Sequence, residues 1–155
     1  MFFTSRKACA LIFTLLLWTL PFLRAQGSNP FFDEDNPVSI IGFSLGELIS
    51  RYGIPRSVYA VRGLEEWQDD VVFVYEEGDF YIYKDRVWQA GFKAALGVNT
   101  GDSRGAATMA LGPRVESRGN SLFYFINEGS WPLMVRCDFD NDDNVRVIFI
   151  YRTDF

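Results

Sequence analysis

Acidic side chains are the chemistry-bearing residues that this sequence sets closest together. Asp138, Asp140, Asp142 and Asp143, with Asn141 and Asn144, crowd oxygen donors into one short run. Hard cations such as calcium are held by clusters of this kind. The Asp-x-Asp-x-Asp spacing suits the start of an EF-hand loop. The sixth position, however, is Asp143 where glycine is required, and the twelfth is Phe149 where a bidentate glutamate is needed. The run therefore reads as a solvated hairpin turn, with Asp138, Asp140 and Asp142 as the candidate ligands if a metal were held, and no cofactor is expected. Glu65-Glu66, Asp69-Asp70 and Glu76-Glu77 pair carboxylates, as glycoside hydrolysis would require. Adjacent strand residues point to opposite faces, and no cleft is predicted that would raise one pKa.

Other chemistries are excluded by composition. The chain has no histidine, which removes the commonest general base, the Ser-His and Cys-His pairs and most zinc sites. No phosphate loop, dinucleotide fingerprint or metal-spaced cysteine pair is present. The expectation is a protein that is not an enzyme.

The elements that carry these residues begin after an export signal. Arg6 and Lys7 precede an uncharged run from Ala8 to Leu20, and Pro21 and Ala25 close it. A basic start, a short apolar stretch and a small terminal residue describe a secretory signal peptide over residues 1–25. An uncleaved anchor is the alternative. Cys9 lies before the apolar run and cannot be a lipobox cysteine, so the mature chain is expected to be periplasmic or secreted and unlipidated. Losing Arg6, Lys7 and Arg24 leaves 12 of the 15 basic residues against all 20 acids, a net charge of −8. An acidic body of that kind offers no broad electrostatic attraction for nucleic acid or an anionic bilayer. Contact with a membrane is expected only through partners or an uncleaved signal. Cys137 is then left without an intramolecular partner and alternates with Val135 and Phe139, as a buried thiol would.

Residues 26–39 form a polar linker or arm interrupted by Phe31 and Phe32. From Ser44 the apolar period becomes helical: Leu45, Leu48, Ile49 and Tyr52 make one stripe, and Ser44 with Glu47 spells a capping box. Gly53 and Pro55 stop the helix. A loop is predicted from Arg56 to Asp70, followed by strands over 71–75, 80–83 and 86–92 with short turns between them. Further strands are predicted over 122–126, 133–139 and 145–151.

Landmarks recur along the chain. Gly42 and Gly53 are eleven residues apart, as are Gly101 and Gly112, and proline follows each pair; Ser44 corresponds to Ser103 and the turn at Asp85 to that at Asp143. This order predicts two units, residues 40–98 and 99–155. The segment from Gly42 to Pro55 resembles the Gly-x-[Thr/Ser] helix Gly-x-Pro signature of the BamE (SmpA/OmlA) repeat. Two such units in tandem resemble the secreted β-lactamase-inhibitor protein. The resemblance implies an α+β fold of two helix-plus-antiparallel-meander repeats with helices on one side of the sheet. It also implies a non-catalytic, exported module that grips a protein partner in the cell envelope or outside the cell.

Aromatic residues crowd the expected strands. A sheet with helices on one face leaves the other open, and Tyr, Trp and Arg dominate binding energy at such surfaces. Tyr81, Tyr83, Trp88 and Arg146 are the candidate partner-binding residues, with Trp88 and Arg146 at corresponding positions of the two units. A small ligand or glycan held on the same aromatic face is the alternative.

Overall fold

The computed structural model describes residues 36–63, 70–127 and 129–154. The signal peptide, Phe31, Phe32 and the Glu65-Glu66 pair lie outside the described residues. A short 3-10 turn, η1 (Pro37–Ile40), leads into helix α1 (Leu45–Tyr52), and strands β1 (Ser57–Val61), β2 (Asp70–Val74), β3 (Gly78–Tyr83) and β4 (Arg86–Phe92) follow. A two-residue-stranded hairpin, β5 (Ala94–Ala95) with β6 (Val98–Asn99), precedes helix α2 (Arg104–Leu111). The chain ends in β7 (Glu116–Arg118), β8 (Ser121–Ile126), β9 (Leu133–Phe139) and β10 (Val145–Arg152).

The expected α+β fold of two helix-plus-meander repeats is corrected by this architecture. Among the described residues the protein is predominantly β, with one eight-stranded antiparallel sheet in the order β1-β2-β3-β4-β10-β9-β8-β7 and two helices of eight residues each. Each helix ends after about two turns because Gly53 and Gly112 follow at φ 77° and 85°, a conformation that suits glycine and closes the last carbonyls. The pairing of β4 with β10, from Gln89↔Tyr151 to Phe92↔Ile148, joins all eight strands into one sheet. The predicted loop from Arg56 to Asp70 is also corrected at its start, where β1 pairs with β2 along its whole length. β1 lacks buried positions, so it carries no hydrophobic alternation to announce it.

Local chemistry explains the helix starts and the turns. Ser44 Oγ accepts the Glu47 amide at 3.2 Å, and a Glu47 carboxylate oxygen accepts the Ser44 amide at 2.7 Å, which completes a capping box. Ser103 accepts the Ala106 amide in the same way at 3.3 Å. Lys84 and Asp85 both adopt positive φ, 45° and 62°, as the two central residues of a tight hairpin turn. The chain ahead of each helix is tied to the last strand of its half of the sheet. Gly42 donates to the Val87 carbonyl and Gly101 to the Val145 carbonyl, at 2.7 Å and 2.8 Å.

One hydrophobic core lies on one face of the sheet. Leu48 of α1 and Ala107 and Leu111 of α2 share it with Phe80, Ile82, Val135, Cys137, Ile148 and Ile150. Tyr52 stacks on Phe80 at 5.4 Å between centroids, and Tyr75 meets both rings, seating α1 on β2 and β3. Among the described residues no helix is long and apolar enough to cross a membrane.

Candidate functional site

Both described helices pack into the core on one face, so among the described residues the second face of the sheet has no helix over it. Two rows of directly paired residues cross it. One runs Tyr59, Val72, Tyr81, Gln89, Tyr151, Met134 and Phe125 over seven strands. The next runs Val74, Asp79, Gly91, Phe149, Arg136 and Phe123. Tyr59 and Phe125 are 46% and 45% exposed, and Tyr81, Phe149, Tyr151 and Arg136 are half-buried. Val72 is fully buried yet stands apart from the main core cluster, as its place on this second face requires.

The centre of the face is an aromatic and cationic stack. The Phe149 ring meets Tyr81 edge-on at 6.4 Å, and the Arg136 guanidinium lies 4.7 Å from the centroid of Phe149. Arg136 Nε stands 3.1 Å from an Asp138 carboxylate oxygen, close enough for an ion pair but off the line of an N–H···O hydrogen bond. Ser121 donates its hydroxyl to the same carboxylate at 2.6 Å. Burial raises the Tyr81 phenol above its ordinary pKa, with Tyr59, Asp79 and Asp70 adding to the rise. Burial also raises Tyr151. Both phenols therefore stay protonated at neutral pH and keep an O–H to donate.

The four expected partner-binding residues lie on this face. Tyr81 and Tyr83 share it by their two-residue spacing, and both are half-buried. Trp88 donates its indole N–H to Asp70 at 2.9 Å and so is anchored over β2, with which Val72 shares the face. Arg146 is exposed and borders a cleft of about 580 Å³ with Phe123, Arg136 and Asn141. Trp88 and Arg146 are each the extra residue of a β-bulge: Tyr81↔Gln89 is followed by Ile82↔Val87, and Asp138↔Val147 by Phe139↔Val145. A bulge twists its strand and redirects the extra side chain. Counted through the β4–β10 pairing, Trp88 is level with Arg152, six residues from Arg146, or roughly 20 Å at about 3.3 Å per residue. The structure thus groups Tyr81, Tyr83 and Trp88 and sets Arg146 apart from them.

The acidic run is divided. Asp138 belongs to β9 and faces Arg136 and Ser121, whereas Asp140 Oδ1 accepts the amides of Asp142 and Asn144 within the turn. Among the described residues no group of three acidic or cysteine side chains is arranged to hold a metal ion. Glu76 pairs with Arg56 at the exposed β2–β3 turn. Residue-by-residue reasoning missed Phe149, Arg136 and Gly91 as the centre of the face. A signal for Arg136 exists: it is the one cation between Leu133 and Phe139, a strand otherwise buried at every second position.

No family model and no curated protein matches this chain. Among solved structures, it is similar to an extracellular protein containing an SCP domain from Bacillus anthracis, with 13% identity over 78% of this chain and 47% of that one, at a TM-score of 0.50. A cysteine-rich secretory protein from Staphylococcus aureus matches at 10% identity over 77% and 47% of the two chains, with a TM-score of 0.49. A DUF4309 family protein from Bacillus subtilis matches at 15% identity over 71% and 78%, with a TM-score of 0.44. The likeness to the first of these is one of fold. The chain spans about half the length of the first two.

Proposed function

We propose that this chain is an exported, non-catalytic protein-binding module that grips its partner with the helix-free face of the sheet. The observation that carries the reading is the set of Tyr, Phe, Trp and Arg side chains that β1, β3, β4, β10, β9 and β8 place on that face. Such residues supply large, fairly rigid contact area with a polar tip, the composition of binding hot spots. Export rests on the basic start and short apolar run of residues 6–25. The BamE-like segment from Gly42 to Pro55 supports an envelope scaffold or inhibitor role within the same reading.

A photo-crosslinking residue placed at Tyr83 tests this in the native envelope fraction, with Met109, 84% exposed on α2, as the control position. Protein adducts are expected from position 83 and not from position 109. Undiminished capture by both Tyr81→Ala and Tyr83→Ala, each folded by circular dichroism, would sink the proposal. A second reading, a small polar ligand or glycan, is favoured by the cleft beside Arg146, where Asn141, Arg136 and the Phe123 ring stand together. It predicts a change in intrinsic fluorescence when sugars are added to the purified protein alone.

A further inference from the structure

The two ends of the sheet are built differently. β7, the last strand on one side, has three residues, Glu116, Ser117 and Arg118, and its two charged side chains pair with each other. Short length and charge are the usual means of preventing an edge from recruiting another strand. β1, at the other end, has five residues, Ser-Val-Tyr-Ala-Val, without charge, proline or glycine. Every one of its residues is exposed, with Val58 at 49%, Tyr59 at 46% and Val61 at 38%. Among the described residues no strand pairs with its outer edge.

From this asymmetry we infer that β1 is a strand-addition site, which takes an extended segment of the protein partner as a ninth strand. This deepens the protein-binding reading and rests on it. Main-chain hydrogen bonds to an exposed edge supply affinity in such complexes, and alternate side chains supply specificity. The inner neighbour of β1 shows which chemistry fits. β2 presents Val71, Val72, Phe73 and Val74 between Asp70 and Glu76, where Glu76 pairs with Arg56 and Asp70 lies opposite Val61, next to Arg62. The incoming strand is therefore β-branched and apolar in its middle, to match the exposed Val58, Tyr59 and Val61 of β1. Its position is continuous with the aromatic row, because Tyr59 begins that row at β1.

The probe is a synthetic peptide of residues 70–76, Asp-Val-Val-Phe-Val-Tyr-Glu, carrying a short Gly-Ser tail for solubility. Residue-resolved amide exchange of the whole mature protein reads its binding. The alternate amides of residues 57–61 that point to the outer edge are expected to slow by about tenfold or more at saturation, and replacing the central valines of the peptide with lysine is expected to weaken the effect severalfold. Val58→Lys with Ala60→Lys, both at exposed positions, is expected to abolish it. Unchanged β1 exchange up to the solubility limit of the peptide overturns the inference, as does slowing that survives the double lysine variant. Loss of the sheet-face reading has a different signature, namely retained partner capture by Tyr81→Ala and Tyr83→Ala, while β1 protection by the peptide is unaffected.

Discussion

Phe149 lies over the backbone of Gly91, its directly paired neighbour across the β4–β10 seam, so that a Cβ built on Gly91 would stand 3.2 Å from the ring. The missing side chain on β4 gives the ring of β10 room to lie between Tyr81 and Arg136. The seam that joins the sheet and the centre of the proposed binding face are therefore the same pair of residues.

Gly91→Val tests that relationship. The added branch must displace the ring, and overpacking of this kind costs about 1–3 kcal/mol. Urea denaturation should show that loss, and partner capture should weaken with it. An unchanged midpoint would mean that the ring moves freely and does not organise the face.

Trp88→Phe removes the indole N–H that reaches Asp70 at 2.9 Å, together with one ring of the side chain. A hydrogen bond to a charged acceptor contributes about 1.5–3 kcal/mol, and the bond ties the β4 bulge to β2. Denaturation midpoints of Trp88→Phe, Asp70→Asn and the double variant form a cycle. Strictly additive losses would exclude coupling between the two residues.

The α1 capping box makes stability depend on acid. Backbone and side-chain hydrogen bonds from Ser44, aided by Arg86, hold the Glu47 carboxyl below its ordinary 4.5. A carboxyl depressed in the folded state contributes stability above its unfolded pKa and loses it as pH falls through the folded value. The gap in Tm between the wild type and Glu47→Gln should therefore be present at pH 6 and close below about pH 4. Ser44→Ala should cost about 0.5–2 kcal/mol at neutral pH.

Cys137 is fully buried, and burial pushes its thiol up to about 11 from 9.0, with Asp138 adding to the rise. A maleimide at pH 7 should leave Cys137 unmodified in the native protein and label it on unfolding, because the thiolate is the nucleophile. An acid whose folded pKa is raised binds more protons when folded, so stability should fall as pH rises from 9 towards 11. Cys137→Ala should flatten that part of the pH–stability curve. Rapid native labelling would mean that the strand β9 opens readily.

The legible parts of this protein are those in which neighbouring residues settle the outcome. Ser44 and Glu47 specify a helix start whatever the rest of the chain does, and glycine at 53 ends it after two turns. Period-two burial in β9, with every second residue buried, can be read directly from Leu133 to Phe139. The lack of histidine, which removes the commonest general base, is likewise read directly from the sequence. β1 was illegible because an edge strand with no buried residue has no alternation, and its strand character comes from pairing with β2 alone.

The sequence by itself therefore determined the local grammar: the caps, the tight turn at Lys84-Asp85, the central strands and the candidate residues Tyr81, Tyr83, Trp88 and Arg146. Tertiary structure alone decided that β4 would meet β10, that the fold would be one β sheet instead of two helix-bearing units, and that Gly91 would lie beneath Phe149. The physical reason is distance along the chain. Those pairings join residues 56 to 62 positions apart, so they depend on which apolar faces can be buried together and not on any neighbour in sequence.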